Sequence, residues 1–184
     1  NDGNILPIKK SGTIALVGPL ADAKENMTGT WSVAARFSES ISVRAGLEKA
    51  VGTQAKVVYA KGSNLDEDET LEANSTMFGK SLHRDKRSAT ELREEAVRIA
   101  RNADVIVAAV GEAAEMSGEA ASRTNIEVPA TQRELLQALL KTGKPVIVVL
   151  FTGRPLALSW EHKNVPAILN VWFGGSEAGD AIAD

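Results

Sequence analysis

The sequence predicts a doubly wound α/β sandwich of three layers, built on a mostly parallel sheet of about five or six strands. Two observations predict this fold class. Short apolar runs rich in Val and Ile recur along the chain, and they are continuous rather than alternating, as in strands buried on both faces. Segments of helical periodicity separate these runs, and such an alternation specifies a layered sheet with right-handed crossovers.

The strands are predicted from four strong apolar runs and one weaker run. Each strong run is flanked by turn or helix signals, which sets it apart as a single element. The weaker candidate is Lys56–Ala60. The four strong runs are Thr13–Pro19, Ala103–Val110, Pro145–Leu150 and Ala167–Trp172.

The helices are predicted from apolar positions at helical spacing and from terminal signals. Thr90 and Ser176 are the expected N-caps of two of them, because short hydroxyl side chains accept hydrogen bonds from the first turn. Gly52 and Gly143 are the expected stops of the other two. The predicted helices are Ser42–Ala50, Thr90–Asn102, Thr131–Thr142 and Ser176 to the end of the sequence.

One long stretch, Gly62–Ala89, follows neither period. It is polar, and its length is unusual for a connection inside a compact domain, so we interpret it as a functional or partner-facing excursion over the surface. The charged cluster His83–Arg87 within it is short and interrupted by an acid, which favours a solvated loop.

Composition excludes several function classes. With 184 residues, 43% hydrophobic and 24% charged, the chain is predicted to form one globular domain. A net charge of −3 and the lack of a long basic stripe argue against a nucleic-acid partner. The sequence has no cysteine and only two histidines, far apart, so cysteine chemistry is excluded and a metal site is not expected. No apolar run approaches the ~18 residues of a membrane span.

Both ends of the sequence suggest a piece of a larger protein. The chain opens on NDGNILPIKK, which is polar and then hydrophobic like the exit from a linker. It closes on EAGDAIAD, a helical pattern without a stop signal.

The most informative stretch is Val110–Arg123, which overlaps the end of the strand ADVIVAAV; we define residues 112–123 of it as the acidic loop. It holds three carboxylates, Glu112, Glu115 and Glu119, and ends on Arg123. The carboxyl end of a parallel strand is where α/β sheets usually place their chemistry. The alternative is an acidic loop that is merely solvated.

Glycines and serines near strand ends give no catalytic motif. The Gly18–Pro19 pair lacks the spaced glycines of a dinucleotide site and the Gly-Lys-Ser/Thr of a phosphate loop. Around Ser176 the second glycine of a nucleophile elbow is replaced by Ala178, and no histidine follows.

Two tryptophans and one arginine lie at other predicted strand ends. Trp31 and Trp172 are candidates for a sugar-binding surface, because pyranose rings present apolar faces to aromatic rings; the alternative is that they cover the core. Arg154 has two interpretations: it binds a carboxylate such as Glu112 or Glu119, or it holds two loops together.

Several long segments together resemble the second, α/β-sandwich domain of glycoside hydrolase family 3, in its bacterial periplasmic β-glucosidase branch. They occur in the family's order across essentially all of residues 1–184, and the Gly62–Ala89 excursion is least alike. The segments are NDGNILPI, IALVGPLAD, GTWS, VIVAAVGEAAEMSGEAASR, IEVPATQRELLQAL, GKPVIVVLFTGRPLAL and AILNVWFGGSEAGDAIAD.

The resemblance implies a division of labour between two domains. An N-terminal (β/α)₈ barrel, absent from this sequence, would carry an Asp nucleophile, and the second domain would supply the general acid/base. The family segment containing that acid/base resembles Ser117–Ala120, so the resemblance implies Glu119, with Glu112 and Glu115 as runners-up. A catalytic acid must keep its proton, which needs low solvation or a neighbouring negative charge. We therefore expect Glu119 to work only when docked over the barrel.

The predicted activity is retaining, exo-acting hydrolysis of terminal β-D-glucosyl residues, without metal or cofactor. The fragment alone is expected to be inactive. We predict substrate contacts from Glu112, Arg123, Trp31 and Trp172, and we expect Arg123 to bind a carboxylate other than Glu119, or the loop backbone. The expected partners are β-linked glucosides or oligosaccharides and the barrel of the same polypeptide, in the periplasm or outside the cell. The alternative is a structural or sugar-binding domain, with the acid/base on the barrel.

Overall fold

The structure is a computed structural model that describes residues 1–70, 83–119 and 121–184. Within these ranges the chain forms a five-stranded, all-parallel sheet with helices on both faces. The predicted doubly wound sandwich is confirmed. Residues 71–82 of the predicted excursion, and residue 120 of the acidic loop, lie outside the described residues.

Each predicted strand is present, with its ends shifted by a few residues. The weaker candidate forms an edge strand, and its partial exposure explains the weaker apolar signal. In space the strands follow the order β2-β1-β3-β4-β5, and every neighbouring pair is parallel. The strands are β1 (Gly12–Val17), β2 (Ala55–Ala60), β3 (Val105–Gly111), β4 (Val146–Phe151) and β5 (Ala167–Asn170).

Helices cover the sheet on both sides and enclose two apolar cores. Alternate residues of β1 serve different cores: Ile14 and Leu16 face one, and Ala15 and Val17 face the other. The first core packs under α1 and α5, and the second packs under α2, α3 and α4. Over the described ranges, the helices that cover the sheet are α1 (Val43–Val51), α2 (Ala89–Arg101), α3 (Ala130–Leu140), α4 (Ser159–Asn164) and α5 (Ala178–Ala183).

The N-cap of helix α2 lies two residues earlier in the chain than predicted. It is Ser88, not Thr90. The Ser88 hydroxyl accepts from the Glu91 backbone N–H at 3.2 Å, and the Glu91 carboxylate accepts from the Ser88 N–H at 2.9 Å. This capping box satisfies two N–H groups together, whereas Thr90 would cap only one. The hydrogen bonds from Ser88 also lower the pKa of Glu91.

Other helix ends also differ from prediction. Helix α3 ends before Lys141, and Gly143 lies in the following turn with a φ of 75°. Helix α5 begins at Ala178, so Ser176 is not its N-cap. Helix α4 was not predicted, because its six residues are too few to show a helical period and no side-chain N-cap marks its start.

The two described arms of the Gly62–Ala89 excursion bind each other. The Asn64 side chain donates to the Asp85 carbonyl at 2.9 Å and accepts from the Asp85 N–H at 2.9 Å. Arg87 pairs with Asp85 at 2.7 Å and with Glu95 of α2 at 2.8 Å. The charged cluster is therefore ion-paired as well as solvated.

Helices α1 and α5 cross at two glycines. A Cβ atom on Gly46 would lie 2.0 Å from the Gly179 carbonyl oxygen, and one on Gly179 would lie 2.2 Å from the Ser42 carbonyl oxygen. The Gly179 N–H donates to the Ile41 carbonyl at 3.1 Å across the same crossing. The backbones touch, so the crossing has no room for a methyl group.

We expect Gly46→Ala to lower the free energy of unfolding by about 1–3 kcal/mol, the usual cost of overpacking. The sign is informative, because the same change in an open helix raises stability by about 1 kcal/mol. Urea denaturation of the chain measures the difference, and Ala50→Gly in the same helix reports helix propensity separately. A stabilised Gly46→Ala variant would contradict the packing described here.

Candidate functional site

The candidate site lies at the carboxyl edge of the sheet, where the loops after β1, β3, β4 and β5 gather. The strand order reverses between β1 and β3, since β2 lies on one side of β1 and β3 on the other. Loops that leave such a switch point diverge to opposite faces and open a crevice, which is where α/β sheets bind ligands. The loop after β1 carries Trp31, and the loop after β3 is the acidic loop.

Glu112 forms the base of the acidic loop. It follows β3 directly, and its N–H donates to the Phe151 carbonyl at 2.9 Å. Its side chain is fully buried, and Oε1 accepts from Arg123 Nη1 at 2.7 Å and lies 3.3 Å from Arg154 Nε. Two guanidinium groups therefore enclose its carboxylate, and the substrate contact expected of Glu112 stays a prediction.

Arg123 lies at the far end of the same loop. Its side chain is only 12% exposed, because it is turned inward against Glu112. The expectation that Arg123 binds a carboxylate other than Glu119 is confirmed. Its guanidinium lies against the loop base, and the substrate contact expected of Arg123 stays a prediction.

Arg154 joins the loop after β4 to the acidic loop. Its Nη2 donates to the carbonyl oxygens of Met116 and Ala121, the latter at 2.8 Å. Both interpretations of Arg154 are therefore realised: it holds two loops together, and the carboxylate it lies against is Glu112.

Glu119 lies at the solvent-exposed part of the acidic loop, whereas Glu115 is buried beneath it. The loop bends over a short 3₁₀ turn, Ala114–Ser117. Gly118 then packs against Thr30, where a Cβ atom would lie 2.3 Å from the Thr30 methyl carbon. Glu119 is thus presented at the carboxyl edge, directly after a tight contact with the loop that carries Trp31.

The loop after β1 is fastened to the acidic loop by further hydrogen bonds. The Asn26 side chain accepts from the Ala114 N–H at 3.0 Å, and the Thr30 hydroxyl donates to the Ala114 carbonyl. It also binds the loop after β5, where the Gly175 N–H donates to the Met27 carbonyl at 2.9 Å. These contacts hold the loops after β1, β3 and β5 in one surface.

Trp31 and Trp172 are exposed on that surface. Trp31 is 71% exposed and Trp172 is 48% exposed, which is unusual for the largest apolar side chains. Trp172 also adopts a φ of 53°, a strained conformation for a bulky residue and one that often marks a functional site. Neither ring covers the core as the alternative interpretation required.

A polar cavity of about 340 Å³ lies beyond the carboxyl end of β2, lined in part by Asp22, Tyr59, Asp85 and Arg87. Hydrogen bonds from Arg87 hold the pKa of Asp85 down at about 2. Burial raises the pKa of Tyr59 to about 12, and the Asp22 charge adds to the rise, while Arg44, 4.8 Å above the ring, opposes it.

Tyr59 is the chain's single tyrosine, so tyrosinate absorbance reports it alone. We expect a titration midpoint of about 12 in the folded chain and about 10 in urea. Because the folded pKa lies above the unfolded one, the stability from the neutral phenol is complete below about pH 10 and is lost between about 10 and 12. A midpoint near 10 with intact circular dichroism would contradict the burial of Tyr59.

A larger groove of about 660 Å³ lies between α1, α5, the sheet and the N-terminal segment. Its lining is apolar apart from Lys10 and Asp184, so it offers no carboxylate pair. Over the described ranges, no group of three or more His, Asp or Glu residues could hold a metal ion. No helix in those ranges is long and apolar enough to cross a membrane.

Sequence reasoning named Glu112 as one possible partner of Arg154 but did not choose between Glu112 and Glu119. The pairing of Glu112 with Arg154 joins residues that are distant in the chain, and Thr152 Oγ1 lies 3.4 Å from Glu112 Oε2 between them. The strand register could have indicated the contact between Glu112 and Thr152, because β3 and β4 are parallel neighbours and Gly111 pairs with Phe151. The residues that follow, Glu112 and Thr152, must then meet.

The fold and the site define an α/β domain whose loops at the carboxyl edge of the sheet carry an exposed carboxylate and exposed aromatic rings. The description of the matching family model is glycosyl hydrolase family 3 C-terminal domain, and the match covers residues 1–184. The chain belongs to this family.

Relatives of known activity support the assignment. A periplasmic β-glucosidase of Salmonella typhimurium is 49% identical over 179 residues, which is 97% of this chain and 23% of that protein. A β-xylosidase of Formosa agariphila is 37% identical over 190 residues, which is 100% of this chain and 24% of that protein. A solved β-glucosidase from Listeria innocua in complex with glucose is 33% identical with a TM-score of 0.79, over 100% of this chain and 22% of that one. The chain therefore spans about a quarter of its relatives' length.

Proposed function

We propose that this chain is the second domain of a retaining, exo-acting β-glucosidase and that Glu119 is its general acid/base. The observation that carries the proposal is the placement of Glu119: it is exposed on a loop whose base is fixed, at the carboxyl edge of the sheet. The kinship with β-glucosidases and β-xylosidases supports the reaction class.

In this proposal a barrel of the same polypeptide docks on the carboxyl edge and supplies an Asp nucleophile. Retaining glycosidases hold the two carboxyl groups about 5–5.5 Å apart. The Asp carboxylate attacks the anomeric carbon while Glu119 gives its proton to the glycosidic oxygen, so the alcohol leaves and a glycosyl ester forms. Glu119 then takes a proton from water, which attacks the ester and releases sugar with its original configuration.

The exposed tryptophans give the domain a second role in this proposal. Trp31 and Trp172 would contact the apolar faces of the terminal β-D-glucosyl unit or its aglycone. Docking would also remove water from Glu119. A carboxyl group with little water around it keeps its proton more readily, because desolvation disfavours the charged form. We place the enzyme in the periplasm or outside the cell, as the Salmonella relative's name suggests.

The experiment replaces Glu119 by Ala in the full-length enzyme, with 2,4-dinitrophenyl β-glucoside as substrate. This substrate forms the glycosyl ester without an acid, but the ester then lacks a base for hydrolysis. We expect sodium azide to restore turnover and to give β-glucosyl azide, because azide attacks without base assistance. Wild-type turnover without azide would remove Glu119 from the mechanism and favour a structural domain with the acid/base on the barrel.

A sugar-binding module without catalysis is the second candidate, and the 71% exposure of Trp31 favours it. Titration of the chain with glucose or cellobiose, followed by tryptophan fluorescence, tests this function. We expect no saturable change, because the remaining sugar contacts would come from the barrel. A saturable change that is lost in Trp31→Ala would support the module instead.

A further inference from the structure

The acidic loop is closed at its base by an ion pair between its own ends. Glu112 is its first residue and Arg123 is its last, and their side chains meet at 2.7 Å. A loop whose ends are joined in this way has little freedom at the base, while its middle can still protrude. Glu119 lies in that protruding part and therefore depends on other contacts for its position.

Arg154 supplies contacts on both sides of Glu119. Its Nη2 donates to the carbonyl of Met116, three residues before Glu119, and to that of Ala121, two residues after it. Its Nε faces Glu112 Oε1 at 3.3 Å, so the same guanidinium also touches the loop base. One planar group thus links three points of the acidic loop.

Arg154 is itself held in place by its surroundings. Its side chain is only 23% exposed. The backbone N–H of Arg154 donates to Thr152 Oγ1 at 3.1 Å, and the Thr152 hydroxyl donates back to the backbone carbonyl of Arg154. The anchor is therefore built on the end of β4, a fully buried strand, rather than on a free loop.

We propose that Arg154 is a positioning residue that sets the height and direction of Glu119 over the catalytic pocket. The inference rests on the proposed function, since it assumes that Glu119 transfers the proton. A lysine could keep the charge at this position, but it has no rigid fork with which to reach two carbonyls and a carboxylate at once. Arg154→Lys therefore separates geometry from charge.

The test uses the full-length enzyme and aryl β-glucosides whose phenols range from weakly to strongly acidic. Proton donation matters most for weakly acidic phenols, and a displacement of about 1 Å can cost about 10²-fold in rate. For Arg154→Lys we expect kcat/KM to fall about 10–100-fold with the poorest leaving groups, and less than about threefold with 2,4-dinitrophenol. If Arg154 had only a structural role, its replacement would lower kcat/KM by the same factor for every substrate in the series.

Arg133→Lys is the matched control. Arg133 is similarly buried, at 20% exposure, and it pairs with the fully buried Glu161 at 3.0 Å. The two carboxylates that pair with it in the described part of the chain, Glu161 and Glu127, lie outside the acidic loop. We expect this variant to lose thermal stability to a comparable degree and to leave the dependence on the leaving group unchanged.

Glu119→Gln and the double variant Glu119→Gln/Arg154→Lys separate the two claims. If Glu119→Gln itself shows no dependence on the leaving group, the proposed function fails. If Glu119→Gln does show that dependence, but Arg154→Lys changes kcat/KM equally for all substrates or for none, the role of Arg154 is overturned. Agreement requires that Arg154→Lys adds less than about threefold once Glu119 is gone, because coupled residues are not additive.

Thr152→Val provides a second route if Arg154→Lys does not fold. Valine keeps the shape of threonine but removes the hydroxyl that holds the Arg154 backbone. We expect a smaller loss, of about three- to tenfold, with the same preference for poor leaving groups. A loss that is uniform across the series would overturn the positioning role.

Discussion

Glu119→Gln in the full-length enzyme is expected to lower kcat/KM for cellobiose and other unactivated glucosides by about 10²–10⁴-fold, the usual contribution of a general acid. With 2,4-dinitrophenyl β-glucoside we expect kcat/KM to change by less than about tenfold, because that leaving group departs without a proton. The reason lies in the first chemical step, which kcat/KM reports. Steady-state kinetics over a series of leaving groups measures the split.

Two further carboxylates serve as controls for this result. Glu177 is exposed on the loop after β5, at the same edge, and Glu177→Gln should leave both substrates near wild-type rates. Glu115→Gln tests the runner-up: Glu115 is 92% buried beneath the loop, so its loss should reduce stability rather than proton transfer. A selective loss with Glu115→Gln, and none with Glu119→Gln, would reassign the acid/base.

The sheet could be predicted from the sequence because its strands are buried on both faces. Runs such as Val146–Phe151 are apolar at every position, and several short runs of this kind, separated by helical segments, are typical of a covered parallel sheet. Helix ends were less predictable, since they depend on which of several hydroxyl groups reaches a free N–H. At α2 the sequence offers two N-cap candidates in one turn, Ser88 and Thr90. The spacing of Ser88 and Glu91 fits a capping box, but it does not exclude Thr90.

The site was only partly predictable, for a different reason. The position of Glu119 at a strand's carboxyl edge follows from the order of the elements. Which carboxylate an arginine binds depends on loop paths that no periodicity encodes. Glu112 and Glu119 lie in one loop, yet one is buried against two arginines and the other faces solvent. Strand register predicts that Glu112 lies close to the end of β4. It does not predict that the Arg154 guanidinium donates to the carbonyls of Met116 and Ala121.

Glu112→Ala is expected to lower the free energy of unfolding of the chain by about 3–5 kcal/mol, the cost of breaking a buried ion pair. The carboxylate is fully buried and pairs with two guanidinium groups that are only 12% and 23% exposed. Its removal leaves both cations with little water and without the carboxylate that pairs with them in the described part of the chain. Urea denaturation measures the loss.

Glu127→Ala is the matched control, because Glu127 also pairs with an arginine but is 45% exposed. We expect it to cost at most about 1 kcal/mol, as exposed ion pairs do. The double variant Glu112→Ala/Arg123→Ala should recover part of the stability lost in Glu112→Ala, because one of the two unpaired cations is gone. If Glu112→Ala costs no more than Glu127→Ala, the ion pairs of Glu112 with Arg123 and Arg154 do not hold the base of the acidic loop. Glu119 would then need another means of support, and the role inferred for Arg154 would lose its foundation.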